Sequence, residues 1–265
     1  MKSGIVKLIK KNPALHRAAR SVYWQYRKIR ANILGTGAYE NYWQNRHLSA
    51  AGDWNDQGNW VMGYWGSKDH SHRNFLIEKI LSYNIDSALE IGANCGPNLY
   101  LLAKADPCLR LAGIDINRPA VAAGRELFQK SGIANVDLSV GSIEDLKKIP
   151  NKSYDIVFTD AVLLYIGPDK ITEAVSEALR IARKAAIFLE WHQDFGRDSG
   201  ARGVFHFDHW KRDYKKLLAE FIPPASIKVI KIPEGLWPGK DWEQLGYLIE
   251  AQIPINNLGV SGENR

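Results

Sequence analysis

The sequence predicts an α/β fold: a doubly wound, seven-stranded sheet with an antiparallel edge strand, preceded by an N-terminal helical extension. From about residue 67 onwards, short apolar segments alternate with longer amphipathic segments. This alternation is typical of strands joined by helices that cover both faces of a mostly parallel sheet. The last two apolar segments follow one another without a predicted helix, which favours an antiparallel pair at one edge.

The predicted elements follow in a regular order over residues 67–253, which we assign to one domain. A helix over about 70–83 leads to the first strand. The predicted strands are Ser87–Ile91, Leu111–Asp115, Val136–Val140, Tyr154–Phe158, Ala186–Glu190, Ile227–Ile232 and Tyr247–Ile253. Later helices run to about 105, through 128, over 169–183 and near 208–220. Residues 254–265 are polar, and we expect them to be frayed.

Residues 1–66 form a basic, aromatic-rich extension or cap. Residues 1–30 hold nine Lys and Arg residues and no acid, so a net charge of +6 leaves −3 for the remainder. Asn12 as N-cap, Pro13 at the first helical position and Gly35 at the other end predict a helix. Its apolar residues recur every three or four positions. They predict packing on the next domain or a second subunit, or contact of residues 1–34 with an anionic inner-membrane surface or a membrane-bound partner.

Residues 36–66 are rich in glycine and aromatic residues and are predicted to be irregular. Five of the nine tryptophans lie in the first 65 residues, namely Trp24, Trp43, Trp54, Trp60 and Trp65. Tryptophan has a large apolar surface and one donor, which suits packing. These residues either stabilise the fold or form a cap over a binding cleft.

Composition restricts the compartment and the partners. Cys95 and Cys108 are too few for a disulfide framework, which favours a reducing compartment. No apolar stretch reaches the roughly 18–20 residues that span a bilayer, and no secretory signal is apparent. We therefore expect a cytoplasmic protein. The positive charge lies in the N-terminal segment rather than around a site, which argues against a nucleic-acid substrate.

The loop after the first predicted strand contains Gly92 and Gly96, which permit positive φ and close approach of a ligand. A dinucleotide fingerprint fails here, because Asn94 and Pro97 stand where its second and third glycines would lie. The loop instead resembles the methyltransferase pattern acidic-x-Gly-x-Gly-x-Gly, starting from Glu90. Asn94 replaces the middle glycine, and asparagine tolerates left-handed geometry well.

Two further strand ends support an adenosine pocket. Asp115 ends the second predicted strand, where an acidic side chain can accept both ribose hydroxyls. Ser142 and Ile143 follow the third strand, at the position where methyltransferases contact adenine. Ligands bind at this carboxyl edge of such sheets. Glu144 or Asp145 could instead cap a short helix.

From about Tyr64 to Ile253 the chain resembles the class I S-adenosylmethionine (SAM)-dependent methyltransferase superfamily. More narrowly, it resembles methylases of surface-glycan biosynthesis, including the pseudaminic-acid-associated group. The narrower resemblance depends on Leu89-Glu-Ile-Gly-Ala-Asn with Asn98-Leu99, Gly113-Ile-Asp-Ile-Asn117, Gly141-Ser-Ile, Val162-Leu-Leu-Tyr-Ile-Gly-Pro168 and Lys211-Arg-Asp213. Glu190-Trp-His replaces the Glu-Tyr-Tyr of that group.

The resemblance implies a Rossmann-like fold with SAM as cofactor. The cofactor-binding residues that it implies are Glu90, Gly92, Ala93, Asn94, Gly96, Asp115, Ile116, Ser142, Ile143 and Asp160. The acidic residue at the start of the loop would lie near the ammonium group of the cofactor. The structural alternative is that Glu90 is an acid that caps a strand end.

Methylation of an alcohol requires a base near the acceptor, and a histidine suits that task. His192 follows the fifth strand and is the predicted catalytic base. Tyr165 should line the same cleft, and Arg73 would lie near the cofactor carboxylate or an acidic substrate. His206, with Asp208 and His209, forms a second candidate cluster for the substrate. Each of these candidate residues could instead be a packed or surface residue without a role in catalysis, and Asp160 could be the N-cap of a helix.

No metal site is predicted. Metal-dependent O-methyltransferases place an Asp-Asn pair after the fifth strand, whereas this chain reads Glu190-Trp-His-Gln-Asp194. His70-x-His72 lacks the further ligands of a zinc site.

The sequence therefore predicts a SAM-dependent methyltransferase that O-methylates a sugar of a surface polysaccharide, glycolipid or related intermediate. One alternative is a methyltransferase of another small molecule or of RNA. A second alternative is a SAM-binding partner module without catalysis. The oligomeric state stays open, and the N-terminal helix could bring the protein to the inner face of the membrane.

Overall fold

The computed structural model describes residues 12–46, 60–196, 200–206 and 208–254. Several predicted features lie outside these residues: the first eleven positions with their four lysines, Trp54, and all but the first residue of the predicted tail. Within the described residues, no helix is both long and apolar enough to cross a bilayer.

A seven-stranded sheet forms the centre of the molecule, with the strand order β3-β2-β1-β4-β5-β9-β8. The strands of this sheet are β1 (Ser87–Ile91), β2 (Arg110–Asp115), β3 (Val136–Val140), β4 (Tyr154–Asp160), β5 (Ala182–Trp191), β8 (Ile227–Lys231) and β9 (Gly246–Gln252). The first five strands of that order pair in parallel, whereas β9 is antiparallel to both β5 and β8. The predicted doubly wound α/β fold is confirmed. The antiparallel strand lies one position inside the edge.

Nine α-helices lie in the described part of the chain. They are α1 (Pro13–Leu34), α2 (Gly37–Gln44), α3 (Trp60–Gly66), α4 (Ser71–Leu81), α5 (Pro97–Ala105), α6 (Arg118–Lys130), α7 (Ile171–Ile181), α8 (Tyr214–Ala219) and α9 (Lys240–Leu245). Short 3₁₀ turns cover 67–69, 143–148, 163–165 and 224–226.

Apolar cores cover both faces of the sheet. Alternate residues of a strand point to opposite faces, and β4 shows this directly. Val157 packs in the core beneath α7 and α8, while Ile156 and Phe158 pack in the core beneath α4 and α5. Burial on both faces explains why the parallel strands are continuous apolar segments in the sequence.

Three predicted features of the fold differ from the structure. The helix near 208–220 is shorter, because β7 (His209–Lys211) pairs antiparallel with β6 (Val204–His206). Asp213 caps α8, its side chain accepting a hydrogen bond from the Lys216 N–H, so α8 begins after it. Helix α9 separates β8 from β9. The described parts of 36–66 are helical rather than irregular, as α2 and α3.

Helix α1 begins and ends at the predicted residues. Asn12 accepts hydrogen bonds from the backbone of Ala14 and Leu15, and Gly35 ends the helix with a φ of 53°. The helix contacts the body through Trp24, Arg27 and Ala31, while its apolar stripe is exposed. The predicted stripe therefore does not pack on the described part of the following domain.

Thr36 joins this extension to the rest of the chain. Its backbone N–H and hydroxyl both donate to Asp169 Oδ1, at 2.9 and 3.0 Å, and its hydroxyl accepts from the Gly167 N–H at 2.9 Å. Thr36 and Gly167 are both buried, whereas the Asp169 carboxylate is exposed to water away from Thr36. The segment before α7 thereby holds the turn between α1 and α2.

We expect Thr36→Val to lower the free energy of unfolding by about 1–3 kcal/mol, because it leaves a buried N–H and a carboxylate oxygen with fewer partners. Urea unfolding measures the change. Thr172→Val is a matched control, since the Thr172 hydroxyl is buried without a hydrogen bond among the described residues. An equal loss in both variants would contradict this assignment.

Candidate functional site

A pocket of about 630 Å³ opens at the carboxyl edge of the parallel strands. Its size lies within the roughly 300–1,000 Å³ of small-molecule sites. The loops after β1, β2, β3 and β4 contribute to its lining, and so do α3, α4 and the connection from β8 to β9. Both the strand ends and the N-terminal extension therefore build one pocket.

The loop after β1 adopts the predicted geometry. Gly92, Asn94 and Gly96 have φ values of 75°, 52° and 84°. A Cβ on Gly92 would lie 2.5 Å from Val162, and one on Gly96 would lie 2.6 Å from Phe128. Glycine is therefore required at these two positions, whereas Asn94 takes the left-handed conformation with its own side chain accepting from the Cys95 N–H.

Asp115 lies at the end of β2 and lines the pocket. Its two carboxylate oxygens accept from the backbone N–H groups of Asn94 and Asn117, both at 2.7 Å. Burial raises the pKa of Asp115, while these two donors lower it. Each oxygen keeps a lone pair that can accept from a ribose hydroxyl.

Ile116, Ser142 and Ile143 line the same part of the pocket. The Ser142 hydroxyl is paired with Asp145, which forms a capping box at the turn over 143–148. Asp145 thus has the capping role that the sequence left open. Ala93 and Gly96 do not line the pocket; Gly96 instead packs against Phe128 and precedes α5.

A buried polar network lies beneath the pocket floor. Asn98 donates to Glu90 Oε1 at 2.7 Å and to Asp160 Oδ2 at 2.9 Å, and Arg73 donates to the same Asp160 oxygen at 2.8 Å. Arg73 and Asp160 line the pocket, whereas Glu90 lies behind them. Glu90, the acidic residue at the start of the glycine loop, is therefore connected to the pocket-lining Asp160 through Asn98.

The charges of this network depend on their neighbours. Burial alone would raise the pKa of Asp160, but the Arg73 guanidinium, His72 and Asn98 together outweigh it and lower the pKa to about 2. Burial raises the pKa of Glu90 well above its usual value. Asp160 is thus ionised, and its Oδ1 is buried without a hydrogen-bond partner among the described residues. Such an oxygen suits an ammonium group.

Tyr165, Trp191 and His209 lie together at another part of the pocket, which we call the acceptor end. His209 Nε2 lies 3.1 Å from the Tyr165 hydroxyl, and the His209 ring centre lies 4.6 Å from that of Trp191. The Trp191 Nε1 is buried without an acceptor in the described chain. A hydroxyl group placed here would meet an imidazole, a phenol and an indole donor.

Two buried charged side chains shape the loop that carries Tyr165. Glu190 accepts from the Thr159 hydroxyl and from the backbone N–H groups of residues 162, 163 and 164. Arg212 donates to the carbonyl oxygens of Leu163 and Ile166. Because Arg212 follows β7, it also ties the strand of His209 to this loop.

The structure does not bring His192 or His206 into the pocket. Strand β5 ends at Trp191, and neighbouring residues of an extended chain point to opposite sides. Trp191 therefore faces the pocket, whereas His192 is buried, and its Nδ1 accepts from the Tyr214 N–H at 3.2 Å. His206 lies on β6, with its ring 6.5 Å from that of Trp191. The expected roles of His192 as base and His206 as substrate residue do not fit these positions.

Four tryptophans complete the walls of the pocket: Trp43, Trp60, Trp237 and Trp242. Trp237 stacks on Trp242 at 3.8 Å and on His72 at 3.7 Å between ring centres. The sequence left open whether Trp43 and Trp60 stabilise the fold or form a cap over a cleft, and it gave Trp237 and Trp242 no role. The glycines and proline around Trp237 were the signal, because they mark a structured connection between the last two strands.

No group of three or more His, Cys, Asp or Glu side chains within the described ranges could hold a metal ion. His70 and His72 both line the pocket, and His72 is engaged in ring stacking. The pocket fits an organic cation better than a metal ion. Asp115 and Asp160 present carboxylate oxygens beside the glycine loop that can still accept hydrogen bonds.

Comparison with known families agrees with this geometry. Residues 88–185 match the family described as a methyltransferase domain. This segment runs from β1 into β5 and contains the loops that carry Gly92, Asp115, Ser142 and Asp160. Residues 88–185 thus match a methyltransferase domain, and this match together with the methyltransferase relatives supports a SAM-dependent methyltransferase with SAM as its cofactor.

Individual relatives resemble the chain only in part. It is 28% identical over 151 residues to an uncharacterized methyltransferase, C70.08c, of Schizosaccharomyces pombe, covering 54% of this chain and 56% of the relative. It is 28% identical over 160 residues to a tRNA (guanine-N(7)-)-methyltransferase of Aeromonas hydrophila subsp. hydrophila, covering 59% and 63%. The chain thus spans less than two thirds of either relative.

The fold is shared with solved structures at low sequence identity. The N-terminal domain of EvdMO1, crystallised in the presence of SAH and D-fucose, has a TM-score of 0.53 and 15% identity, covering 70% of this chain and 84% of that one. This similarity shows a common fold.

We expect Asp115→Ala to weaken SAM binding about 10- to 100-fold, because it removes hydrogen bonds to a charged acceptor. Calorimetric titration with SAM measures the dissociation constant. Asp137→Ala is the control, since Asp137 is exposed on the neighbouring strand β3. Equal affinity of the Asp115→Ala and wild-type proteins would rule out ribose binding by Asp115.

Glu190 should make stability depend on pH. Burial raises its pKa from 4.5 to about 7, although backbone donors oppose the change. The protonated carboxyl is favoured in the folded state, so this stabilising contribution is fully present below about pH 4.5 and is lost as pH rises through about 7. Relative to Glu190→Gln, the wild-type free energy of unfolding should fall by on the order of 3 kcal/mol over that range.

Urea unfolding at several pH values measures this difference, and histidines that titrate in the same range cancel from it. A wild-type-minus-variant difference that is constant with pH would show that Glu190 does not titrate there.

Proposed function

We propose that this protein is an active SAM-dependent methyltransferase that O-methylates a sugar hydroxyl of a surface polysaccharide, glycolipid or related intermediate. The observation that carries the proposal is that one pocket holds both the cofactor residues and the acceptor end. Asp115 and Asp160 lie at the strand ends, and His209 and Tyr165 line the same cavity.

The residues present fit the cofactor. Asp115 would accept the ribose hydroxyls, Ser142 and Ile143 would contact the adenine, and Asp160 Oδ1 would accept from the ammonium group. Gly92 and Asn94 leave room for the ligand beside the backbone. When bound, SAM supplies an activated methyl group on its sulfonium.

The protein's own contribution is alignment and proton removal. Alignment of two reactants in a closed pocket contributes up to ~7–11 kcal/mol in favourable cases. The acceptor oxygen would form its new bond to the methyl carbon while the bond from that carbon to sulfur breaks and its electron pair goes to sulfur; the acceptor hydroxyl would give its proton to the Tyr165–His209 pair. The Tyr165 hydroxyl lies 3.1 Å from Nε2 of His209. In the tautomer that leaves Nε2 unprotonated, Tyr165 donates to Nε2 and can pass the proton to the imidazole. His209 thus replaces His192 as the proposed base.

The pocket walls support a sugar acceptor. Trp and Tyr side chains combine flat apolar faces with polar edges, and a pyranose ring likewise has apolar C–H faces and a polar rim. Trp43, Trp60 and Trp191 surround the acceptor end. The EvdMO1 domain, which shares this fold, was crystallised with a sugar. An RNA acceptor, suggested by the tRNA methyltransferase relative, is disfavoured because the described pocket lining includes few cations, chiefly Arg73 and Lys240.

We place the reaction in the cytoplasm, at the inner face of the membrane. Cys95 and Cys108 are both free thiols, as expected in a reducing compartment. The exposed apolar residues of α1 and its five cations support a contact of the N-terminal helix with that membrane face.

Transfer of labelled methyl groups from SAM to nucleotide sugars, glycan fractions and RNA tests the proposal. We expect label in a sugar-containing product, identified by mass spectrometry as an O-methyl ether. If only RNA or another small molecule is labelled, the proposed sugar acceptor is wrong and the labelled class is the acceptor. SAM binding without transfer to any pool would identify a non-catalytic module.

We expect His209→Ala to reduce turnover about 10²- to 10⁴-fold, the usual contribution of a general base. SAM affinity should be unchanged, because His209 lies at the acceptor end. The measurement is the initial rate with the acceptor fraction that wild type labels. His192→Ala is the matched control and should retain turnover; the opposite ranking of the two variants would restore His192 as the base.

A further inference from the structure

Helix α1 presents an apolar stripe that nothing in the described chain covers. Leu15, Val22, Tyr26, Ile29 and Ile33 lie on one side of the helix at spacings of three, four and seven residues. These side chains are between 50% and 76% exposed. Contiguous exposed apolar surface of this kind marks an interaction site in a folded protein.

The body of the protein holds α1 by its other side. Ala31 is buried, Trp24 is half-buried, and Arg27 forms an ion pair with Asp208 at 2.9 Å. All residues from 12 to 23 are exposed, so the first half of the helix projects from the body. The contacts that attach α1 to the body lie on one side of the helix, so the apolar stripe on the other side faces the solvent.

The charge of α1 points to an anionic partner. The helix contains five cations and no acid, namely Arg17, Arg20, Arg27, Lys28 and Arg30. The preceding eleven residues add four lysines, no acid and the apolar residues Ile5, Val6, Leu8 and Ile9. A second copy of this segment would bring like charges together, which disfavours self-association through the stripe.

We propose that α1 docks flat on an anionic bilayer surface, with the stripe inserted among the acyl chains. An amphipathic helix with apolar residues on one face and cations on the other binds in this way. Lysine and arginine contribute attraction to anionic headgroups, which falls off within a Debye length. The proposal depends only on α1, and a failed methyl-transfer assay would leave it standing.

Docking would bring the acceptor end close to the bilayer. The Arg27 guanidinium lies 5.9 Å from the Tyr39 ring centre, and Tyr39 lies 6.0 Å from Tyr165. One aromatic side chain thus separates α1 from the residue that lines the pocket.

Vesicle flotation of the full-length chain tests the proposal. We expect binding to phosphatidylcholine vesicles that contain phosphatidylglycerol, little binding to phosphatidylcholine alone, and weaker binding as salt is raised. Val22→Ser/Ile29→Ser should weaken binding at least about tenfold, because it removes two side chains from the inserted stripe. Arg17→Gln/Arg20→Gln should weaken binding to the anionic vesicles only.

Gln25→Ser/Asn32→Ser is the matched control, since both side chains are exposed on the same helix outside the stripe. It should bind vesicles as wild type does. Thermal unfolding and SAM titration of every variant check that the fold is intact. No binding to anionic vesicles would overturn the proposal. A dimer in light scattering that Val22→Ser/Ile29→Ser abolishes, without vesicle binding, would assign the stripe to a second copy instead.

Discussion

The carboxylate of Glu190 is the constraint on which the site depends. It accepts four hydrogen bonds from residues 159–164, so it fixes the loop that follows β4. That loop begins at Asp160, which faces the cofactor residues, and continues to Tyr165 at the acceptor end. It also places Val162 against Gly92, where a Cβ would not fit. The buried Glu190 therefore holds in place the loop that connects the cofactor residues to the acceptor end of the pocket.

The charges around the pocket are matched to a cationic ligand. Glu90 and Asp160 are buried and are joined through Asn98, and the half-buried Asp115 lies at the next strand end. Arg73 donates to Asp160, and His72 Nε2 lies 3.7 Å from the same carboxylate oxygen. Burial and the neighbouring carboxylates of Asp160 and Asp115 raise the pKa of Glu90. A sulfonium and an ammonium group would supply the missing positive charge. This arrangement explains why acids, which cost free energy when buried, lie at the strand ends.

The sequence predicted those parts of the fold and site that local rules determine. The bounds of β1 and β3 agree with the prediction, because apolar strands between helices are unambiguous. The left-handed conformation of Asn94 was predictable, because Asn94 stands where the methyltransferase pattern has its middle glycine, between Gly92 and Gly96. The pairing of β6 with β7 did not follow, since these few residues carry both turn and helix signals. The sequence named His192 as the base and His209 only within a second cluster. The position of each depends on which side of β5 faces the pocket and on how β7 packs against it.

The N-terminal helix shows a further limit of sequence patterns. Amphipathic spacing predicts that the apolar side of a helix has a partner, but it does not say what that partner is. In α1 the body contacts come from Ala31, Trp24 and the polar Arg27, so the pattern and the packing disagree. A helix whose apolar side faces outward loses free energy in water unless a second surface covers it. The cations along α1 and the nearby acceptor end make an anionic bilayer the surface that explains both its charge and its position.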